Sequence, residues 1–255
     1  MQLVSLGQLK EQTYSMKESL RALKTNIQFC GNDIKTILIT SAVPDEGKST
    51  VTINLARSLT ESGKRVLVID TDMRKSVLVG RLRANTKDGE ILGLSHYLSG
   101  QNVLSEVLYA TDVPRLFMVF AGPTVPNPTE ILEKKYFDEL LQFGREHFDY
   151  IIIDTAGVGS SVFSVIKAAE LILMVTTPDT VCVRDGAILS DFLYVKNCTN
   201  QRLVINKVSP NFKDEEILYD LDEVMDSVGI PLVGVVPEDV NIKICGAKGE
   251  PLPPN

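Results

Sequence analysis

The sequence predicts an α/β fold with a doubly wound, mainly parallel sheet and helices on both faces. Short runs rich in β-branched residues alternate with longer amphipathic stretches along the 255 residues. The strand candidates are almost continuously apolar, which is typical of parallel strands covered on both faces. Neither an internal repeat nor a low-complexity block interrupts this alternation. One domain spanning residues 1–255 is therefore expected.

The elements follow one another in the order that such a sheet requires. Two connections, residues 83–90 and 121–128, are expected to lie on the surface. The predicted strands are Thr36–Thr40, Arg65–Ile69, Leu116–Ala121, Tyr150–Asp154, Leu171–Thr176, Leu203–Asn206 and Leu232–Val236. The predicted helices are Val51–Thr60, Pro128–Glu146, Ser161–Ala169, Arg184–Val195 and Glu215–Val228.

Residues 1–34 precede the first predicted strand and are expected to form an N-terminal helical extension. Three charged residues spaced by three share one helical face, beside an apolar stripe. This face is either a solvated surface of a docked helix or an assembly surface. The charged residues are Glu18, Arg21 and Lys24, and the apolar ones are Leu20, Leu23 and Ile27.

Composition limits the classes of function. The net charge of −7 argues against a non-specific nucleic-acid binder, although a local basic patch remains open. No apolar run approaches the length of a membrane span, and the polar N-terminus lacks a secretory signal, so a cytoplasmic protein is expected. The four cysteines are scattered without a C-x-x-C pair, which favours reduced thiols over a metal site or disulfides.

The segment 41–50, S-A-V-P-D-E-G-K-S-T, lies between the first predicted strand and a helix, as a phosphate-binding loop (P-loop) does. Backbone N–H groups converge on a polyphosphate there, Lys48 can reach the β- and γ-phosphates, and the Ser49 hydroxyl can ligate Mg²⁺. The alternative is a helix start with its lysine in solvent. The predicted nucleotide-binding residues of the loop are Pro44, Asp45, Glu46, Gly47, Lys48, Ser49 and Thr50.

Two predicted strands end in aspartate, within V-L-V-I-D-T-D-M-R (66–74) and Y-I-I-I-D-T-A-G (150–157). Each aspartate alone could cap a helix. Together with a P-loop they predict a Mg²⁺–nucleotide site, in which Asp70 and Asp154 hold the ion or its waters. Asp72 is the candidate for positioning or deprotonating a nucleophile. The predicted catalytic set is therefore Lys48, Asp70, Asp72 and Asp154.

These motifs resemble those of the bacterial tyrosine kinases (BY-kinases) of capsule and exopolysaccharide systems. The resemblance covers roughly residues 8–170, including E-S-L-R-A-L-K-T-N-I-Q-F (18–29), G-L-S-H-Y-L-S-G (93–100) and P-N-P-T-E-I-L (126–132), and the D-x-D-x-R element is its most specific part. It implies a P-loop NTPase fold of the deviant-Walker type that uses ATP and Mg²⁺. It also implies homo-oligomer assembly through Glu18, Arg21 and Lys24, and a membrane-bound activator or adaptor protein that holds the chain at the inner face of the membrane.

The C-terminal third resembles MinD-type ATPases instead. The segments that carry this resemblance are V-T-T-P-D-T-V-C-V-R-D-G-A (175–187), V-I-N-K-V (204–208), G-V-V-P-E-D-V (234–240) and K-G-E-P-L (248–252). It implies that Asn206 reads the adenine edge and that the loop of Pro237, Glu238 and Asp239 flanks the base. An N-K pair after a strand can also be an ordinary turn.

The sequence departs from both families at defined positions. Val43 occupies the place of the signature lysine of MinD and ParA proteins, and Asp45 occupies a usual BY-kinase glycine. The tail from Gly246 onward carries no tyrosine, so the tyrosine cluster of BY-kinases does not occur within these 255 residues, and a truncated C-terminus stays open. Three functions stay open on these grounds: a BY-kinase-like tyrosine phosphotransferase, a MinD-like ATPase switch that recruits a partner at the membrane, and a nucleotide-gated scaffold without turnover.

Overall fold

The structure, a computed structural model, describes residues 2–7, 9, 12–31, 33–87, 89–157, 160–209 and 220–238, without the side chains of residues 160 and 161. Within these ranges the chain forms one ten-stranded sheet flanked by helices. The strands are β1 (Gln2–Leu6), β2 (Thr36–Thr40), β3 (Val66–Asp70), β4 (Ala84–Thr86), β5 (Tyr109–Thr111), β6 (Leu116–Val119), β7 (Tyr150–Asp154), β8 (Leu171–Thr176), β9 (Gln201–Val208) and β10 (Leu232–Pro237).

The helices of the described ranges cover both faces of the sheet. Two buried apolar clusters lie on its opposite sides, built from alternate residues of the same strands. The helices are α1 (Tyr14–Phe29), α2 (Lys48–Glu61), α3 (Leu78–Arg81), α4 (Leu94–Leu98), α5 (Leu104–Val107), α6 (Pro128–Leu132), α7 (Lys135–His147), α8 (Ser160–Ile166), α9 (Thr180–Val195) and α10 (Leu221–Val228).

The strand order is β10-β9-β8-β2-β7-β3-β6-β5-β1-β4. Strands β2, β3 and β8 are fully buried, β7 is buried except at Tyr150, and the four pair in parallel, which explains their uninterrupted apolar sequences. Only the pairs β1–β4 and β5–β6 are antiparallel among the described strands. The predicted doubly wound, mainly parallel sheet is confirmed.

Two local predictions were wrong, and a third is tested only in part. The predicted helix over 128–146 is two helices, α6 and α7, because Lys134 adopts an extended conformation between them. The predicted connection 83–90 contains β4, which pairs with β1 at the sheet edge. The predicted helix from Glu215 is described only from Leu221, and its earlier residues lie outside the described ranges.

The N-terminal extension is only partly helical, which corrects a further prediction. Strand β1 enters the sheet between β5 and β4, so the first residues belong to the domain itself. Helix α1 begins where the Thr13 side chain accepts a hydrogen bond from the Met16 N–H. The predicted apolar stripe of Leu20, Leu23 and Ile27 is buried, and it fastens the helix to the domain.

Candidate nucleotide and metal site

The predicted motifs meet because β2, β7 and β3 are neighbours in the parallel sheet. Their carboxyl ends lie at one edge, where ligands bind in open α/β sheets. The P-loop follows β2, while Asp154 ends β7 and Asp70 ends β3. The register places Asp70 directly beside Asp154.

The P-loop has the backbone of an anion site. Gly47 precedes α2 with φ +92°, a conformation that favours glycine, and no side chain caps the first N–H groups of the helix. These N–H groups and the helix dipole favour a phosphate. A Cβ atom at Gly47 would also lie 2.2 Å from Asn206 Nδ2, so both conformation and space require glycine here.

Hydrogen bonds from other parts of the chain hold the P-loop in place. The buried Glu46 carboxylate accepts from the Val43 N–H at 2.7 Å, and burial raises the pKa of Glu46. Asn206 Nδ2 donates to the Glu46 carbonyl oxygen at 2.8 Å. Lys207 Nζ, next along β9, donates to the Asp45 carbonyl oxygen. Strand β9 thus holds two consecutive carbonyl groups of the loop.

Lys48 is buried at the centre of this edge. Its Nζ donates to Ser41 Oγ at 2.8 Å, and Ser41 Oγ in turn donates to the Val43 carbonyl oxygen. Burial lowers the pKa of Lys48, and the charge of Asp154 opposes that shift. A Cβ atom at Gly157 would lie 3.3 Å from Lys48 Nζ, so the glycine after β7 leaves room for the lysine.

The two strand-end carboxylates are almost fully buried. Burial, together with the charge of Asp154, raises the pKa of Asp70 to about 7, although Ser76 Oγ donates to this carboxylate at 2.8 Å. Burial also raises the pKa of Asp154 to about 6, against hydrogen bonds from the Ser49 and Thr52 hydroxyl groups. Two neighbouring buried carboxylates favour either a shared proton or a cation.

This donor set fits Mg²⁺ bound together with a nucleotide. Magnesium takes oxygen ligands, and in nucleotide sites it uses one or two carboxylates along with phosphate oxygens and waters. Asp70, Asp154 and the Ser49 hydroxyl supply such oxygens at one place. No cluster of three or more His, Cys, Asp or Glu residues suited to a metal occurs in the described ranges, so an all-protein metal cage is not found there.

Asp72 lies two residues beyond the end of β3 and is only half-buried. Its carboxylate Oδ1 accepts from the Arg74 N–H at 3.3 Å and from the Lys75 N–H at 3.0 Å. Its own N–H donates to Asp70 Oδ1 at 3.0 Å. The turn therefore directs a third carboxylate to the same edge and fixes its position, while its predicted role toward a nucleophile stays a prediction.

The remaining predicted residues are placed as follows. Pro44, Asp45 and Thr50 are exposed, so the loop is open to solvent on one side. The Glu46 side chain points into the protein. Glu46 can therefore contact a phosphate only through its backbone groups. The Asn206 amide nitrogen is already engaged by the loop, and the adenine-reading role of this residue stays a prediction. Pro237 ends β10 beside Val208, while Asp239 lies outside the described residues.

The predicted assembly residues lie on the outward face of α1. Arg21 pairs with Glu18, and both side chains are about half exposed. Lys24 Nζ instead donates to Ser62 Oγ at the end of α2, so it also fastens the helix to the domain. Their role in assembly stays a prediction.

Sequence reasoning missed several residues that shape the site. Thr71 donates to the Asp154 carbonyl oxygen from both its N–H and its hydroxyl group, at 2.9 and 2.8 Å, which joins the ends of β3 and β7. Thr52, Ser76 and Lys207 were missed as well. Thr52 lies one turn into the helix after Ser49, and that spacing could have indicated it.

The fold and the site together define a P-loop nucleotide-binding protein. The sequence profile described as "CobQ/CobB/MinD/ParA nucleotide binding domain" matches residues 37–252, and the chain belongs to this family. The predicted membership of the MinD/ParA group of P-loop proteins is therefore confirmed.

Within this family the chain is related to bacterial tyrosine kinases. It is 42% identical to tyrosine-protein kinase CpsD of Streptococcus agalactiae over 158 residues, which cover 62% of this chain and 68% of that protein. It is 40% identical to CpsD of Streptococcus pneumoniae over 171 residues, which cover 66% of this chain and 74% of that protein. The kinase domain of Escherichia coli tyrosine kinase ETK superposes with a TM-score of 0.64 at 26% identity, over 73% of this chain and 72% of that one.

MinD proteins share the fold. The septum site-determining protein MinD of Pyrococcus horikoshii, solved with Mg-ADP, superposes with a TM-score of 0.67 at 24% identity over 86% of this chain and 87% of that one. Among the described helices, none combines the length and hydropathy needed to cross a bilayer.

The raised pKa values of the two buried carboxylates predict how stability depends on pH without ligand. Between the ordinary aspartate value of 3.8 and the raised values of about 7 and about 6, the folded chain binds more protons than the unfolded chain. The free energy of unfolding therefore falls as pH rises through this window.

We expect the Tm of the nucleotide-free protein, measured by differential scanning fluorimetry, to decrease from about pH 5 to about pH 8. The Asp70→Asn variant should show a shallower decrease, whereas Asp138→Asn, an exposed carboxylate on α7, should keep the full slope. A Tm that stays level or rises over this window would contradict the assignment.

The backbone at Asp45 yields a second prediction. Asp45 has φ +65°, a conformation that costs a non-glycine residue about 1 kcal/mol, and its carboxylate is exposed with only a 4.0 Å contact to Arg81. Asp45→Gly removes a negative charge near the phosphates, so nucleotide affinity should rise. Asp45→Asn removes the same charge and should produce a similar gain, because the ligand-free loop already holds φ +65° and the strain does not oppose binding. Titration with a fluorescent ATP analogue measures both, and unchanged affinity in Asp45→Gly would show that the Asp45 charge does not weaken binding.

Proposed function

We propose that the chain transfers the γ-phosphoryl group of Mg-ATP to protein tyrosine hydroxyl groups, as a BY-kinase-like domain. One observation carries the proposal: the P-loop lysine lies at the sheet edge where three carboxylates converge. The negative charges of Asp154 and Asp72 both favour the protonated form of Lys48, and Asp70 lies directly beside Asp154. A P-loop holds the phosphates, while a carboxylate set of this kind provides for both a metal and a nucleophile.

The residues divide the work by their positions. The N–H groups at the start of α2 bind the phosphates, and Lys48 exchanges its contact with Ser41 for the β- and γ-phosphate oxygens. Ser49, Asp70 and Asp154 would hold Mg²⁺. When bound, the ion supplies neutralisation of the developing phosphate charge.

Asp72 is the group proposed to receive the proton of the tyrosine hydroxyl. Its carboxylate is half-buried and immobilised by two backbone N–H groups, so it can point at an acceptor without reorganisation. The hydroxyl oxygen then forms the new bond to phosphorus, the bond to the β,γ-bridging oxygen breaks, and ADP leaves on the P-loop.

Sequence similarity to named kinases supports the kinase assignment. The relatives at 40–43% identity are named tyrosine-protein kinases and match 62–74% of their own length with this chain. By the resemblance of 8–170 we also propose a role in capsule or exopolysaccharide synthesis. Homo-oligomer assembly through α1 and a membrane-bound adaptor that holds the chain at the inner membrane face belong to the same proposal.

A MinD-like ATPase is the second candidate. A putative MinD of Nephroselmis olivacea is 28% identical over 219 residues, a longer match than that to CpsD. In that case water would take the place of the tyrosine hydroxyl, and Asp72 would orient it.

Incubation with γ-labelled ATP and Mg²⁺ separates these candidates. The assay follows labelled tyrosine on added acceptor peptides, free phosphate and bound nucleotide in the same samples. We expect labelled tyrosine from the native chain, loss of labelling in Lys48→Met, and a fall of about 10²-fold or more in kcat for Asp72→Asn with nucleotide affinity retained.

Asp138→Asn serves as the matched surface control and should behave as the native chain does. Free phosphate without labelled tyrosine would favour the ATPase, and bound nucleotide without turnover would favour the scaffold. Labelling that survives Lys48→Met would refute the site assignment as a whole.

A further inference from the structure

A surface pocket of about 310 Å³ is lined in part by Arg74, two residues beyond Asp72, and plays no part in holding nucleotide in the proposal above. It is open to solvent, and its volume is at the lower end of the range for small-ligand sites, closer to the size of one side chain than to that of a peptide. The pocket is lined by Arg74, Pro126, Asn127, Pro128, Thr129, Glu130 and Glu133.

The pocket is built onto the catalytic edge. Arg74 follows Asp72 by two residues, and the backbone N–H of Arg74 contacts the Asp72 carboxylate. On the opposite wall, the Val125 N–H donates to the Met73 carbonyl oxygen at 3.2 Å, which joins the loop before α6 to the turn after β3. Glu133 Oε1 accepts from Ser164 Oγ of α8 at 3.2 Å. The walls are thus fixed to the same turn that directs Asp72.

The strand order places the loops that line this pocket on the far side of Asp154 and Asp70 from the P-loop. From β2 the sheet runs through β7 and β3 to β6, so the P-loop, Asp154, Asp70 and the 121–128 loop follow one another along the edge. Phosphoryl transfer needs the attacking and leaving oxygens roughly in line. If ADP leaves on the P-loop at β2, as proposed, a hydroxyl that approaches from the β3–β6 side would lie opposite the leaving oxygen and near the residues of this pocket.

The lining indicates what the pocket accepts. Pro126 and Pro128 fix the backbone of one wall, which therefore needs no ordering on binding. The Arg74 guanidinium is exposed and can stack on an aromatic ring. Two exposed carboxylates, Glu130 and Glu133, outnumber that single cation, so the charge of the pocket favours a basic neighbour.

We infer that this pocket binds the acceptor segment, and that it selects tyrosines flanked by lysine or arginine through Glu130 and Glu133. The inference rests on the proposed kinase function and names its substrate class. It makes the two glutamates determinants of specificity that lie outside the nucleotide and metal site.

Direct binding tests the inference without turnover. The probes are two short fluorescent peptides with one tyrosine each, flanked by lysines or by glutamates, titrated by anisotropy against the full chain with Mg²⁺ and a non-hydrolysable ATP analogue. We expect the lysine-flanked peptide to bind more tightly, by up to about fivefold for each ion pair it forms, since each exposed ion pair contributes up to about 1 kcal/mol.

Two variants locate the source of the preference. The double variant E130Q/E133Q should abolish it, and E130K/E133K should invert it toward the glutamate-flanked peptide. Asp138→Asn should keep it, and affinity for the ATP analogue should be unchanged in all variants because none touches the P-loop. A preference that persists in E130Q/E133Q, or its absence from the native chain, would overturn the inference.

Failure of the pocket inference can be distinguished from failure of the proposed kinase function. Tyrosine labelling with equal use of both peptides would leave the kinase standing and reject the pocket. A glutamate-dependent binding preference without labelling would keep the pocket and reject the kinase.

Discussion

The parallel register of β3 and β7 places two carboxylates side by side at a buried sheet edge. The other polar groups of the site are arranged around this pair of buried negative charges. Asp70 and Asp154 are each only 1% exposed, and the burial that raises their pKa values is the cost of keeping both ionised there. Hydroxyl groups of Ser49, Thr52 and Ser76 offset part of that cost. A cation offsets it more fully, because it acts on both carboxylates at once. A site that favours a proton or a cation and lies beside a P-loop is suited to a nucleotide that carries Mg²⁺.

The P-loop depends on a second set of contacts, from a strand on the other side of β2. Asn206 and Lys207 at the end of β9 hold the carbonyl groups of Glu46 and Asp45, and the close approach of Asn206 leaves only glycine possible at position 47. A movement at the end of β9 would therefore reach the phosphate-binding N–H groups directly.

The sequence was sufficient to predict the central strands and the P-loop, but not the strands at the sheet edge or the division of one predicted helix into two. The buried strands and the P-loop were predictable because each has a local pattern: an uninterrupted apolar run, or glycine and lysine at a fixed spacing before a helix. Strands β1, β4 and β5 were missed because they are short and partly exposed, and β1 pairs with residues about 100 positions away, which leaves no local signal. The break between α6 and α7 was missed because apolar residues continue at helical spacing across it.

Side-chain directions were the other limit. Glu46 was predicted among the nucleotide-binding residues from its place in the loop, yet its carboxylate points inward to the Val43 N–H. The choice between solvent and interior depends on β8 and α9, more than a hundred residues away, whose polar groups surround that carboxylate. The pocket lined in part by Arg74 was not predicted for the same reason, since its walls come from two separate segments and meet only in the folded chain.

The location of a divalent cation tests the central claim most directly. A crystal structure of the full chain with Mn²⁺ and a non-hydrolysable ATP analogue, with anomalous scattering recorded at the manganese edge, reports that location without reference to activity. The account predicts one anomalous peak among the Ser49 hydroxyl, the Asp70 and Asp154 carboxylates and the β- and γ-phosphates. A nucleotide seated on the P-loop with manganese away from both carboxylates would contradict it.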